Sequence, residues 1–299
     1  MKQILTYPKY KDYTLFVVIS LIATYNTLAQ LKPVNAAYYA NEFLMNPAMA
    51  GREELLNASI GFRQQLSSIT GAPQTQFLTA DYGFDAKSGV GLKVYSDKAG
   101  LLRETSVAAT YAYHLPLGDE SHLNFGIAAT FTNNRLNHNL LNGDMDDPDA
   151  MDVNRRNTYI DSDFGLAYTS AATTLQAVFP NMVANLKKDK AAEVDHSLFF
   201  AAASYRFITD AGKIEPKLVY RGIKGFKNIV DVATNFSFQS GTKNQLNIMG
   251  IYHSSKNATF GFGITHNDHF SFNSSYTMGS SQIRSYTIGD LEIGIALKL

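Results

Sequence analysis

Seven histidines, a run of carboxylates and one mid-strand arginine are the side chains in this sequence best suited to chemistry. The histidines are His114, His122, His138, His196, His253, His266 and His269. None stands in a Gly-x-Ser-x-Gly or His-Glu-x-x-His setting, so neither a nucleophile elbow nor a helical zinc site is written locally. His266 and His269 flank one turn and His114 and His122 another, which reads as solvated turn chemistry; His138 falls in a long loop. A hydrolase assembled from side chains of distant strands needs no local motif and stands as a rival reading. The stretch 143–152 carries Asp144, Asp146, Asp147, Asp149 and Asp152. Such oxygens suit calcium, but the spacing departs from the EF-hand and lacks its turn glycine, so a self-repelling solvated loop is the simpler reading. Lys187, Lys188 and Lys190 give the next long loop the opposite sign. Arg63 belongs in a lumen, because an arginine facing lipid at the midplane costs about 2–4 kcal/mol. Asp81 and Glu104 on nearby strands are its expected partners.

Composition narrows the chemistry further. With no cysteine there is no disulfide, thiolate nucleophile or Cys-ligated metal, and no lipidated N-terminal cysteine. A formal net charge of zero argues against a nucleic-acid partner. No cofactor is implied, and no catalytic or metal site is assigned.

The elements that must position these groups are strands. Residues 1–29 read as a secretory signal peptide: Lys2, Lys9 and Lys11 precede an apolar core from Thr14 to Ala23, and Thr27-Leu28-Ala29 offers a cleavage site after Ala29. From residue 55 to 299 the hydropathic period is two. Leu123, Phe125, Ile127, Ala129 and Phe131 alternate with His122, Asn124, Gly126, Ala128 and Thr130; Leu291, Ile293, Ile295, Leu297 and Leu299 alternate with Glu292, Gly294, Ala296 and Lys298. About fourteen such segments are present, of the length a tilted strand needs to cross a bilayer. The least regular, 173–180 and 213–221, contain Pro180 and Pro216, which should push them to a margin. Connections alternate long and short, with 134–156 and 181–195 the longest, as in barrels with extended extracellular loops and tight periplasmic turns. The expected fold is therefore all-β: an outer-membrane, transmembrane antiparallel β-barrel of about 14 strands over 55–299, in contact with outer-membrane lipid.

Between signal and barrel, residues 30–54 form a lead-in without alternation. Asn46-Pro47-Ala48-Met49-Ala50-Gly51 reads as turn chemistry, with Pro47 holding Asn46 extended. The simpler expectation is a segment tucked against the first strand; the sharper one is a plug or partner contact at the barrel mouth.

Asn46-Pro47-Ala48-x-x-Gly51 is followed by Gly61-Phe62-Arg63-Gln64-Gln65-Leu66, by Gly71-Ala72-Pro73-Gln74-Thr75-Gln76, by Gly89-Val90-Gly91-Leu92 and by Ala109-Thr110-Tyr111-Ala112-Tyr113-His114. In this order the motifs resemble the PorP/SprF family of outer-membrane proteins associated with the type IX secretion system of Bacteroidetes. The likeness covers essentially the whole mature chain. It departs at Leu66, where the family commonly has tryptophan, and at Leu299, where many barrels end in phenylalanine. The resemblance implies partners among type IX secretion components and a large secreted adhesin with a C-terminal sorting domain, in secretion, surface anchoring or gliding motility. It marks Asn46, Pro47, Ala48, Gly51, Arg63, Gly71, Ala72 and Pro73 as family positions, structural or partner-contacting. A passive channel for small solutes is the main rival reading.

Overall fold

A computed structural model of the chain describes residues 36–66, 71–136, 158–187, 197–223, 227–240, 243–279 and 289–299. The expected signal peptide at 1–29 and the acidic stretch 143–152 lie outside the described residues. Strands dominate, in chain order β1 (Leu56–Gln64), β2 (Gln74–Asp85), β3 (Ser88–Ala99), β4 (Leu102–Gly118), β5 (Ser121–Leu136), β6 (Thr158–Thr169) and β7 (Thr173–Phe179). β8 (Ser197–Tyr205) is interrupted at Arg206 and resumes as Phe207–Thr209. Then follow β9 (Gly212–Ile223), β10 (Ile229–Ser240), β11 (Asn244–His253), β12 (Asn257–His266), β13 (Phe270–Met278) and β14 (Asp290–Lys298).

Each strand pairs antiparallel with its sequence neighbour, and β14 pairs with β1, so the sheet closes as a 14-strand antiparallel barrel. Closure runs from Asn57 opposite Lys298 to Gln64 opposite Leu291. It leaves no free edge at the seam, which an open sheet in lipid could not tolerate. Among the described residues no helix is long and apolar enough to cross a membrane; the strands do so instead.

Alternation decides which face meets lipid. Ile60, Leu78, Ile127, Phe131, Leu218, Val232, Phe260 and Ile295 are exposed on the outside, while Arg63, Thr79, Asp81, Asn124, Asp231 and Glu292 are buried within. On β5 the side that carries Ile127 and Phe131 faces out, and Asn124, Gly126 and Ala128 face in. Turns on one rim are short: Ala86-Lys87, Asp119-Glu120 and Asp210-Ala211 are complete connections. The other rim carries the long loops, so the short rim is periplasmic.

Pro216 lies inside β9 rather than at a margin. Its missing N–H falls where β8 is broken: Lys217 pairs with Ser204 and Ile214 with Phe207, so Glu215 and Pro216 face the interruption at Arg206. Pro180 does end its strand: β7 stops at Phe179 and a short helix, α1 (Met182–Lys187), follows Asn181.

Candidate functional site: a plugged lumen

The lead-in does not merely lean on the first strand. It enters the barrel and fills it, which corrects the simpler expectation in favour of a plug. A four-residue helical turn (Ala37–Ala40) is followed by two 3-10 turns (Glu42–Leu44 and Pro47–Met49). Asn46 forms the cap of the last one: its Oδ1 accepts the Ala48 N–H at 3.0 Å, and Pro47 occupies the first helical position, where no N–H is needed. The expected turn chemistry is present, but inside a protein interior; Asn46, Ala48 and Ala50 have no accessible surface.

A row of small residues makes room for it. Cross-strand register lines up Gly83, Gly89, Ala112, Gly126 and Gly165 on the inner wall of five consecutive strands. A Cβ at Gly83 would run into the carbonyls of Gly51 and Glu53, at Gly89 into Ala50, at Gly126 into the Pro47–Ala48 backbone, and at Gly165 into the Asn46 side chain. The plug backbone thus lies directly on the wall, and only glycine permits that approach. Gly51 also has a positive φ of 61°, which adds a backbone requirement to the steric one. Tyr38, Leu44, Phe77, Val178, Phe200 and Val219 pack into one apolar cluster, and Phe43, Ala48, Met49, Ala50, Ala112 and Ala167 into another.

Polar anchors hold the plug around the circumference. Glu292 Oε2 on β14 accepts the backbone N–H of Ala36 and Ala37 at 3.0 and 2.9 Å. Asn41 Nδ2 donates to Ser59 Oγ on β1 and Thr79 Oγ1 on β2. Asn46 Nδ2 donates to Gln176 Oε1 on β7 at 3.1 Å, and the Gly51 N–H to Asp81 Oδ2 at 2.9 Å. Lys217 on β9 donates to Glu42 Oε1 at 2.6 Å, and Gln176 Nε2 donates to the same oxygen at 2.9 Å. Burial alone would raise the Glu42 carboxyl, but Lys217 and Arg52, with the hydrogen bonds from Lys217 and Gln176, hold it below the ordinary glutamate range. Burial pushes the Tyr38 hydroxyl well above the ordinary phenol range, so it stays a donor. Beneath the plug, toward the short-turn rim, remains a cavity of about 290 Å³ lined by residues including Glu42, Arg52, Asp81, Glu215, Lys217 and Lys298.

Tyr38 leads into a second network. Its hydroxyl donates to Asp231 Oδ2 at 2.9 Å, and Arg221 Nε donates to the same oxygen at 3.0 Å. His253 Nδ1 lies 2.7 Å from Asp231 Oδ1, and His253 Nε2 lies 2.8 Å from Thr259 Oγ1. This hydroxyl–imidazole–carboxylate chain has the spacing of a nucleophile relay. All three groups are sealed from solvent, the Thr259 hydroxyl is shared with Thr277, and the carboxylate is already used by Arg221 and Tyr38. Here the relay fixes the plug. His114, expected as a turn residue, is also buried, with Nε2 3.1 Å from the Ala50 carbonyl and Nδ1 2.8 Å from Asn124 Oδ1. Among the described residues no cluster of histidine, aspartate and glutamate is arranged to hold a metal ion.

Arg63 does face the lumen, but its partners are not Asp81 or Glu104. It donates to Asp290 Oδ2 at 2.7 Å and lies 3.2 Å from Glu292 Oε1. Closure puts the last strand beside the first, which a reading along the chain does not reveal. Asp81 instead holds Gly51 and Asn57. Leu66, the position of the family departure, adopts a positive φ of 44° and donates its N–H to Asp290 Oδ1. Of the family positions, Asn46, Pro47, Ala48 and Gly51 come together in the plug. Arg63 is linked to it through the shared Glu292. Gly71, Ala72 and Pro73 lie apart in the β1–β2 connection, where Gly71 has a φ of 78° and the Pro73 carbonyl accepts from Gln65. Sequence reasoning missed the glycine row, Glu292 as an anchor, and the Asp231 network.

Comparison with known proteins agrees with this architecture. No curated protein matches the chain. Among solved structures, the TodX deltaS2S3 mutant monoaromatic hydrocarbon channel is similar at a TM-score of 0.50 and 7% identity, covering 86% of this chain and 92% of that one. The Ralstonia pickettii toluene transporter TbuX is similar at a TM-score of 0.50 and 9% identity, covering 91% and 95%. At such identities the likeness speaks for the barrel fold alone. The model of the type IX secretion system membrane protein PorP/SprF family matches residues 27–297. A closed, lipid-faced barrel with this match over nearly its whole length is an outer-membrane protein, and the chain belongs to the PorP/SprF family associated with type IX secretion.

Proposed function

We propose that this barrel is a sealed outer-membrane platform of the type IX machinery that anchors a large secreted adhesin-type protein at the surface. The observation that carries the reading is the plug. Its backbone lies on the glycine row and it is hydrogen-bonded to β1, β2, β7, β9, β10 and β14, which supports a scaffold over an open conduit. A passive solute channel would need that segment to leave. A hydrolase built on the Thr259 relay would need that relay to reach substrate, and it is buried. On this proposal the chain is exported by its first 29 residues and cut after Ala29, so the mature protein begins at Gln30.

A mild-detergent pull-down of a tagged copy from native outer membranes tests the proposal. The expected partners are type IX components and an adhesin with a C-terminal sorting domain. A barrel recovered without partners, with steady conductance in planar bilayers, would overturn it in favour of the channel. Activity on lipid or peptide substrates would overturn it in favour of the hydrolase.

A further inference from the structure

We infer that the outer face of β3–β5 carries a binding site for the phosphate-bearing headgroup of a lipid in the extracellular leaflet. Cross-strand register sorts the outward side chains there into rows. Val94, Val107 and Phe131 stand opposite one another; above them come Ser96, Thr105 and Asn133, and above those Lys98, Arg103 and Arg135. The three cations share the strand parity of Leu92, Tyr111 and Ile127, which are exposed to lipid. Asp97, Glu104 and Asn134, one position along each strand, fall on the lumen side. The wall thus sorts its carboxylates inward and its cations outward. Height follows from the same pattern. On β4 the outward apolar run from Val107 to Leu117 rises about 26 Å along the axis of a tilted strand, close to the apolar band of an outer-membrane barrel. Arg103 stands about 10 Å above Val107 on that scale, in the headgroup layer.

Like charges directly opposite one another weaken a ladder, so three cations in one row need an anion. Among the described residues none of the three forms an ion pair, and Arg135 Nε donates only to the neutral Asn133 Oδ1, at 2.8 Å. A lipid phosphate reaches this height with its chains already against Val94, Val107 and Phe131, whereas a protein carboxylate would first have to displace the lipid below. The Ser96 and Thr105 hydroxyls lie between chains and phosphate, where a headgroup presents its ester and hydroxyl oxygens. Beside the rows the outer wall is hollowed into a groove of about 360 Å³, lined by residues including Ile60, Phe62, Leu78, Val94, Ser96 and Ile293. It runs at the level of the two rows beneath Lys98, where an acyl chain lies. Cations above an apolar groove match a lipid that is negative at its head and apolar in its chains. The inference stands whichever protein the barrel anchors.

The chain lacks tryptophan, so Leu92→Trp places a single fluorophore on the lipid face of β3 below Lys98. Phe236→Trp places one on the lipid face of β10, across the barrel. Each variant is studied in phosphatidylcholine nanodiscs containing either brominated phosphatidic acid or brominated phosphatidylcholine, and quenching gives the relative affinity of the two lipids at that position. Phosphatidic acid should be preferred by roughly tenfold or more at Leu92→Trp, from three cations near the surface, and not at Phe236→Trp. Combining Lys98→Gln, Arg103→Gln and Arg135→Gln should remove the preference. In neutral detergent the triple variant should be at least as heat-resistant as its parent, because the repulsion within the row is gone. Loss of heat resistance there would show the row to be structural and overturn the inference. So would equal quenching by the two lipids, a preference that is the same at both positions or survives the triple substitution, or one that inorganic phosphate abolishes at constant ionic strength, which would mark a site for free anions.

Discussion

Gly126→Ala adds one methyl group to a barrel of 299 residues, and the structure says where the cost falls. The new Cβ would sit within the Pro47–Ala48 backbone, which has no flexible side chain to swing aside. Overpacking of this kind costs about 1–3 kcal/mol. β5 is locked between β4 and β6 by long ladders, whereas the plug is a short segment, so the plug should yield. If the whole cost appears as weaker seating, plug opening rises roughly 5- to 150-fold at 1.4 kcal/mol per factor of ten. Hydrogen exchange at the Ala48 and Gly51 amides reads this directly, because both are held in the seated plug. Brief conductance bursts in planar bilayers read it independently. Gly294→Ala is the matched control: it also faces the lumen, but its Cβ would meet only the Ile60 carbonyl at 3.6 Å, an ordinary contact. Equal exchange and equal bilayer traces for the two variants would refute the claim that the glycine row exists to seat the plug.

Three further outcomes follow from the same geometry. Arg63→Ala leaves Asp290 and Glu292 without their cation; breaking such a buried group costs about 3–5 kcal/mol, so heat-modifiability on gels should shift to lower temperature, and adding Asp290→Asn should restore part of the loss. Glu42 is held below the ordinary glutamate range in the folded protein, so its contribution is complete above that range and disappears as pH falls through the folded value. The protection of the plug amides relative to their intrinsic exchange rate should fall on acidification below about pH 4, and Glu42→Gln should remove that dependence while weakening the plug at neutral pH. Asn46→Ala loses the cap and the Gln176 bond together, and exchange at Ala48 should rise by roughly five- to thirtyfold, in line with about 1–2 kcal/mol for a lost cap.

The barrel was legible in the sequence because a wall with lipid on one side and a lumen on the other imposes a period of two, and β5 and β14 show it without a slip. Turn lengths were legible because a tight antiparallel turn needs few residues. The site was legible only in part. Asn46 and Pro47 announce a local turn wherever it is placed, so their chemistry could be read but not their burial. Gly83, Gly89, Gly126 and Gly165 are scattered along the chain and become one surface only through strand register. Arg63 and Glu292 lie at opposite ends of the barrel sequence, and no local rule joins them before the circle closes. A hint was available for the glycines: small residues at inward positions of consecutive strands mean that something must lie against them.

Glu292 is the anchor of the plug's first turn, and it stands on the last strand to be synthesised. The plug precedes the barrel in the chain, yet its seat is incomplete until the final strand has joined the first. Seating is therefore a late event that reports completed insertion. A barrel stalled before closure would leave residues 36–53 without their β14 contact and open to periplasmic proteases, while a finished one withdraws them.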